Sequence, residues 1–118
     1  MTVTAIIDNG RPAATAERAI NVGTLRNALA DGAELALIDV RDNFVHARDG
    51  HILLGVSVPF NQLEIRIAAL VPRRQTRVVV YDGGDGVLTR QAAARLTGLG
   101  YINVSILEGG TQAWHAAG

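Results

Sequence analysis

The stretch Arg77-Val78-Val79-Val80-Tyr81-Asp82-Gly83-Gly84-Asp85-Gly86 decides the fold. Val78 to Tyr81 are apolar on both faces of an extended chain, so Arg77 to Tyr81 reads as a strand buried on both sides. It runs straight into a loop of aspartate and glycine. Leu88 to Leu99 then reads as a helix, with Ala92, Arg95, Leu96 and Leu99 near one face and Gly100 just past its end. Buried strand, tight loop and helix together make one half of a parallel crossover.

Working outward, the same grammar repeats. Leu35 to Val40 is a second buried strand, interrupted by one aspartate near its end. Arg41 to Gly50 is polar, with a helical turn predicted around Phe44–Ala47. Val56 to Phe60 alternates and reads as a strand that ends by Pro59. Leu63, Ile67 and Leu70 fall at helical spacing, which predicts a helix over Gln62–Leu70, stopped before Pro72. Towards the N-terminus, Ile20–Val22 reads as a short strand, and Thr24 as the N-cap of a helix over Leu25–Ala30. Towards the C-terminus, Val104–Leu107 is a last core strand, Gly109-Gly110 a turn, and Thr111 the cap of a final helix carrying Trp114. Residues 1–18 read as a lead-in or linker, in which Val3–Ile7 suits a short edge strand; residues 19–118 form the domain. The alternation implies a three-layer α/β fold around a parallel sheet. In such sheets ligands sit at the carboxyl ends of the strands, here Asp39–Arg41 and Asp82–Gly86.

Composition narrows the chemistry. The 118 residues fit one domain. There is no cysteine, which excludes a disulfide framework, a thiolate metal site and a cysteine nucleophile on this chain. All eleven cations are arginine, so Schiff-base chemistry and a phosphate-loop lysine are excluded too. The formal net charge of zero offers no footprint for nucleic acid or an anionic membrane. Met1 to Ile7 lacks a basic targeting region, and no stretch approaches the ~20 apolar residues of a membrane span. A cytoplasmic location is the expectation.

The ordered motifs resemble the rhodanese domain. They are Leu37-Ile38-Asp39-Val40-Arg41, then Gly50-His51-Ile52, then Val56-Ser57-Val58-Pro59. Val78-Val79-Val80-Tyr81 with its glycine-rich loop follows, then Gly100-Tyr101, and finally Val104, Leu107, Glu108-Gly109-Gly110 and Trp114. The resemblance covers about residues 19–118. It implies a central five-stranded parallel sheet flanked by helices. It also implies kinship with thiosulfate sulfurtransferases, in which a cysteine at the end of the matching strand carries a sulfane sulfur. Loop amides and a helix N-terminus would lower the pKa of that thiol. Here Asp82 stands in the cysteine's place, or Tyr81 if the loop shifts by one residue. The resemblance therefore implies a non-catalytic domain, a structural or regulatory unit of a longer sulfurtransferase whose other domain carries the cysteine. Its partners would be those other domains or a separate protein. Two alternatives stand beside it: a stand-alone protein-binding module using the Asp82–Gly86 loop, and a metal-dependent or aspartyl-nucleophile hydrolase.

The candidate residues have plainer readings as well. Asp82, Gly83, Gly84, Asp85, Gly86 and Val87 make an active-site-like loop. Aspartates there suit a turn and a helix start, and the glycines supply positive φ. As an exposed pair, Asp82 and Asp85 would repel an anion. Asp39, Arg41 and His51 would frame the loop, with Asp39 paired to an arginine and His51 as a hydrogen-bonded structural residue. His46 and His115 read as solvent-facing and without partners, Trp114 as a packing residue, and Arg73, Arg74 and Arg77 as a basic cluster in a solvated loop that could meet an acidic partner. The histidine spacing suits no metal, and no cofactor is expected.

Overall fold

The computed structural model describes residues 18–118. Strands β1 (Ala19–Ile20), β2 (Leu35–Asp39), β3 (Val56–Ser57), β4 (Arg77–Tyr81) and β5 (Val104–Leu107) form one sheet in the order β1-β5-β4-β2-β3. Every pairing is parallel. Helices α1 (Val22–Ala30), α2 (Asn43–Arg48), α3 (Leu63–Leu70), α4 (Val87–Gly98) and α5 (Gly110–Ala116) fill the connections and follow the last strand. The five-stranded parallel α/β architecture is the one the sequence implies.

Alternation along β4 divides the core. Val78 and Val80 join Leu63 and Ile67 of α3 and Ala92, Ala93 and Leu96 of α4. Val79 and Tyr81 point the other way, to Leu25 of α1, with Trp114 of α5 packed against that second cluster. A strand buried on both faces has no polar side to show, which is why β4 reads as an unbroken apolar run. Trp114 is thus a packing residue, with the Arg26 guanidinium over its ring.

Several boundaries differ from the sequence reading. β1 is Ala19–Ile20, because α1 already starts at Val22. Its cap is Asn21, whose Oδ1 accepts the Thr24 N–H at 2.8 Å, so Thr24 lies inside the helix. β3 is only two residues long. Pro59 has no N–H to continue the ladder, and Phe60–Gln62 turn into a short 3₁₀ segment ahead of α3. α2 runs over Asn43–Arg48, one residue longer at each end than expected. α4 starts at Val87 and ends at Gly98, with Gly100 just beyond in the left-handed region. The cap of α5 is Gly109 rather than Thr111. The edge strand expected over Val3–Ile7 lies outside the described residues.

Candidate functional site

Asp39, the last residue of β2, is in register with Tyr81, the last of β4. The two regions singled out from the sequence therefore end side by side. Each ends on a carboxylate at or just past the strand: Asp39 is fully buried and Asp82 is 4% exposed.

The loop after β4 closes around Asp82. Its Oδ1 accepts the Gly84 N–H at 2.8 Å and the Gly86 N–H at 3.4 Å. Its Oδ2 accepts the Thr89 N–H at 3.4 Å and the Thr89 hydroxyl at 3.3 Å. These donors lie in the loop and the first turn of α4, where N–H groups have no helical partner and favour an anion. Asp85 is exposed and accepts the Val87 N–H at 3.0 Å. Gly84 and Gly86 take positive φ, as the turn requires, while Gly83 does not.

A second element clamps the loop from above. Thr111 donates its N–H to the Asp82 carbonyl at 2.9 Å, and Gln112 donates to the Gly83 carbonyl at 3.3 Å. Gly110 makes the approach possible: a Cβ built there would lie 2.3 Å from the Asp82 carbonyl oxygen. The Thr111 and Gln112 N–H groups, in the first turn of α5, are thus spent on the loop.

The Asp39 cluster is built from side chains. Arg41 donates Nε to Oδ1 at 2.9 Å, Nη2 to Oδ2 at 2.6 Å and its backbone N–H to Oδ1 at 3.0 Å. The same Nη2 reaches the Gly50 carbonyl at 2.9 Å. His46 places Nδ1 2.8 Å from Asp39 Oδ2. Burial pushes the Asp39 carboxyl up, but the hydrogen bonds from Arg41 and His46 outweigh it and hold the group below its ordinary 3.8. The Asp39 hydrogen bond raises the Arg41 guanidinium in turn. Burial, helped by the negative charge of Asp39, pushes the Tyr81 phenol up to about 12. The Tyr81 side chain faces away from the loop, and its oxygen accepts the Ile52 N–H at 3.2 Å.

Arg41, Asp82, Gly83, Gly84, Asp85, Leu88 and Gln112 line an open pocket of about 380 Å³. Arg41 is the one cation on its wall. Two expectations are corrected here. His46 is not partnerless, and His51 stacks on it with ring centroids 3.8 Å apart while its Nδ1 lies 3.1 Å from the His46 carbonyl oxygen. Asp82 is not a free charge in the loop, since both its oxygens are engaged. The arginine cluster lies at the surface, where Arg73 pairs with Glu34, Arg77 with Asp31, and Arg74 reaches the Leu99 carbonyl and the Tyr101 hydroxyl. Thr89 and the His46–Asp39 contact carried no sequence signal, because both span seven residues across a strand-to-helix turn. Among the described residues, no three His, Asp or Glu side chains gather as a metal site. No described helix is long and apolar enough to cross a membrane.

The family model for the rhodanese-like domain matches residues 21–117. Among solved structures, thiosulfate sulfurtransferase from Pseudomonas aeruginosa is 42% identical with a TM-score of 0.79, over 85% of this chain and 19% of that one. The chain thus spans about a fifth of that protein's length. The Alr3790 protein from Anabaena sp. is 32% identical with a TM-score of 0.75, over 84% of this chain and 76% of that one. A rhodanese-related protein from Thermoplasma volcanium is 27% identical with a TM-score of 0.71, over 86% and 93% of the two chains. No curated protein matches the chain.

Proposed function

The chain belongs to the rhodanese-like domain family, and from that membership we propose that it is a non-catalytic unit of a larger sulfurtransferase. In this reading Asp82, not Tyr81, takes the place of the persulfide-forming cysteine. The domain serves as a structural or regulatory element beside a unit that carries the nucleophile. Its partners are other domains of the same longer chain or a separate protein, in a cytoplasmic setting.

One observation carries the reading. The Asp82 carboxylate fills the ring of loop and helix amides that a persulfide would need. A carboxylate there satisfies the donors but holds no transferable sulfur, and the sequence offers no cysteine to replace it. The likeness to about a fifth of a thiosulfate sulfurtransferase supports a setting within a longer protein.

The test is thiosulfate-to-cyanide sulfur transfer by the wild-type domain, Asp82→Cys and Tyr81→Cys. We expect turnover only in Asp82→Cys, since the Tyr81 side chain faces the opposite side of the sheet. Turnover by the wild type would overturn the proposal. Gain by Tyr81→Cys alone would move the cysteine position to residue 81. Silence from both folded variants would mean that the loop has lost its sulfur-transfer shape, and would favour a stand-alone binding module.

A further inference from the structure

The chain leaves the sheet before Arg41 and returns to the apolar core at Ile52. None of the eleven residues 41–51 is buried. None of the segment's apolar residues belongs to either core cluster or packs against one, and Arg41 meets the core through its guanidinium over the Tyr81 ring. Phe44, the largest apolar side chain of the segment, is 65% exposed and lies under the Arg48 guanidinium. The hydrogen bonds of His46 to Asp42 and Asp49 to Val45 are internal to the segment. Apolar burial, the usual means of holding a surface helix, is missing here.

Its attachment is polar and converges on one group. Asp39 accepts from the Arg41 backbone, from two Arg41 side-chain nitrogens and from His46. Arg41 passes the constraint to Gly50 through its carbonyl, and His46 passes it to His51 by stacking. Both ends of the segment are thereby tied to one buried carboxylate. A further side-chain contact, between Ser57 and Asn43, joins α2 to β3.

We propose that residues 41–51 form a strap that opens and closes as one unit, with the Asp39 carboxylate as its clasp. Segments with few buried apolar contacts open below the free energy of global unfolding. Arg41 moves with the strap, so opening removes the one cation from the wall of the Asp82 pocket. The charge facing that pocket is then set by the state of the strap.

Amide hydrogen exchange on the whole chain tests this. In the wild type, the His46 and Asp49 amides should exchange faster than the Val78 amide of the central sheet. In Asp39→Asn, strap exchange should rise roughly tenfold or more relative to Val78, the scale of one lost hydrogen bond to a charged group. His46→Ala, at a partly exposed site that spares the core, should move the same amides in the same direction. It keeps the test open if Asp39→Asn fails to fold. Strap amides as protected as Val78 in the wild type would overturn the proposal. So would a strap-to-Val78 ratio left unchanged by the substitutions.

Discussion

Two buried carboxylates end neighbouring strands, and the protein satisfies them by opposite means. Asp82 is held by backbone dipoles and one hydroxyl, all within seven residues of it. Asp39 is held mainly by cationic or ionisable side chains. The donors to Asp82 cannot leave without dismantling the start of α4. The donors to Asp39 sit on a segment that contributes no residue to the apolar core. The contrast separates a permanent anion, built into the loop, from a conditional one, whose partners can be withdrawn. A loop that carries its own anion has its amides committed before any ligand arrives.

The sharpest way to break this contrast is to strike the Asp82 loop through its clamp. Gly110→Ala sets a Cβ against the Asp82 carbonyl at a backbone φ of +54°, so α5 and the loop must part. We expect a loss of about 3 kcal/mol in urea unfolding, the upper end of ordinary single substitutions. Asp82→Ala should cost about 1–3 kcal/mol, because the part-buried Gly84 and Gly86 amides and the buried Thr89 amide lose their shared acceptor. Asp39→Asn should cost only about 1 kcal/mol globally. That is well below the ~3–5 kcal/mol expected when one partner of a buried ion pair is removed, because Arg41 follows the strap into solvent. A global loss at Asp39 larger than that at Asp82 would erase the contrast.

A smaller effect lies in acid. The Asp39 carboxyl titrates below its ordinary 3.8 in the folded chain. Its contribution to stability is therefore present above that ordinary value and lost as the pH falls through the folded one. Acid titration of stability should show a shallower decline in Asp39→Asn than in the wild type. Equal declines would mean that the charge of Asp39 contributes nothing to the fold.

The strands and the loop were legible because burial on both faces leaves a continuous apolar run, as in Val78 to Tyr81, and glycine with aspartate marks its end. The Asp39–Arg41 pairing was legible for a related reason, since a charge set inside such a run needs a counter-charge nearby. The caps were not. Asn21 and Thr24 are both good cap residues, and only the position of β1 decides between them. The His46 contact was invisible because it depends on how α2 folds back over the strand end, and no short spacing encodes that. The burial of Asp82 was missed because the clamp comes from Gly110 and Thr111, which reach the loop only once β5 has returned beside β4.

The sheet order has a consequence for synthesis. β1 has its sheet partner in β5, with Ala19 opposite Ile106. Of the described strands, the first to leave a ribosome is thus the one that must wait for the last. Until Val104–Leu107 emerges, Ala19 and Ile20 have no ladder to join, and Thr111 and Gln112 are not yet there to clamp the loop. A nascent chain halted before residue 104 therefore holds β2 to β4 with the β4 edge of the sheet unpaired, and the domain closes only on its final stretch.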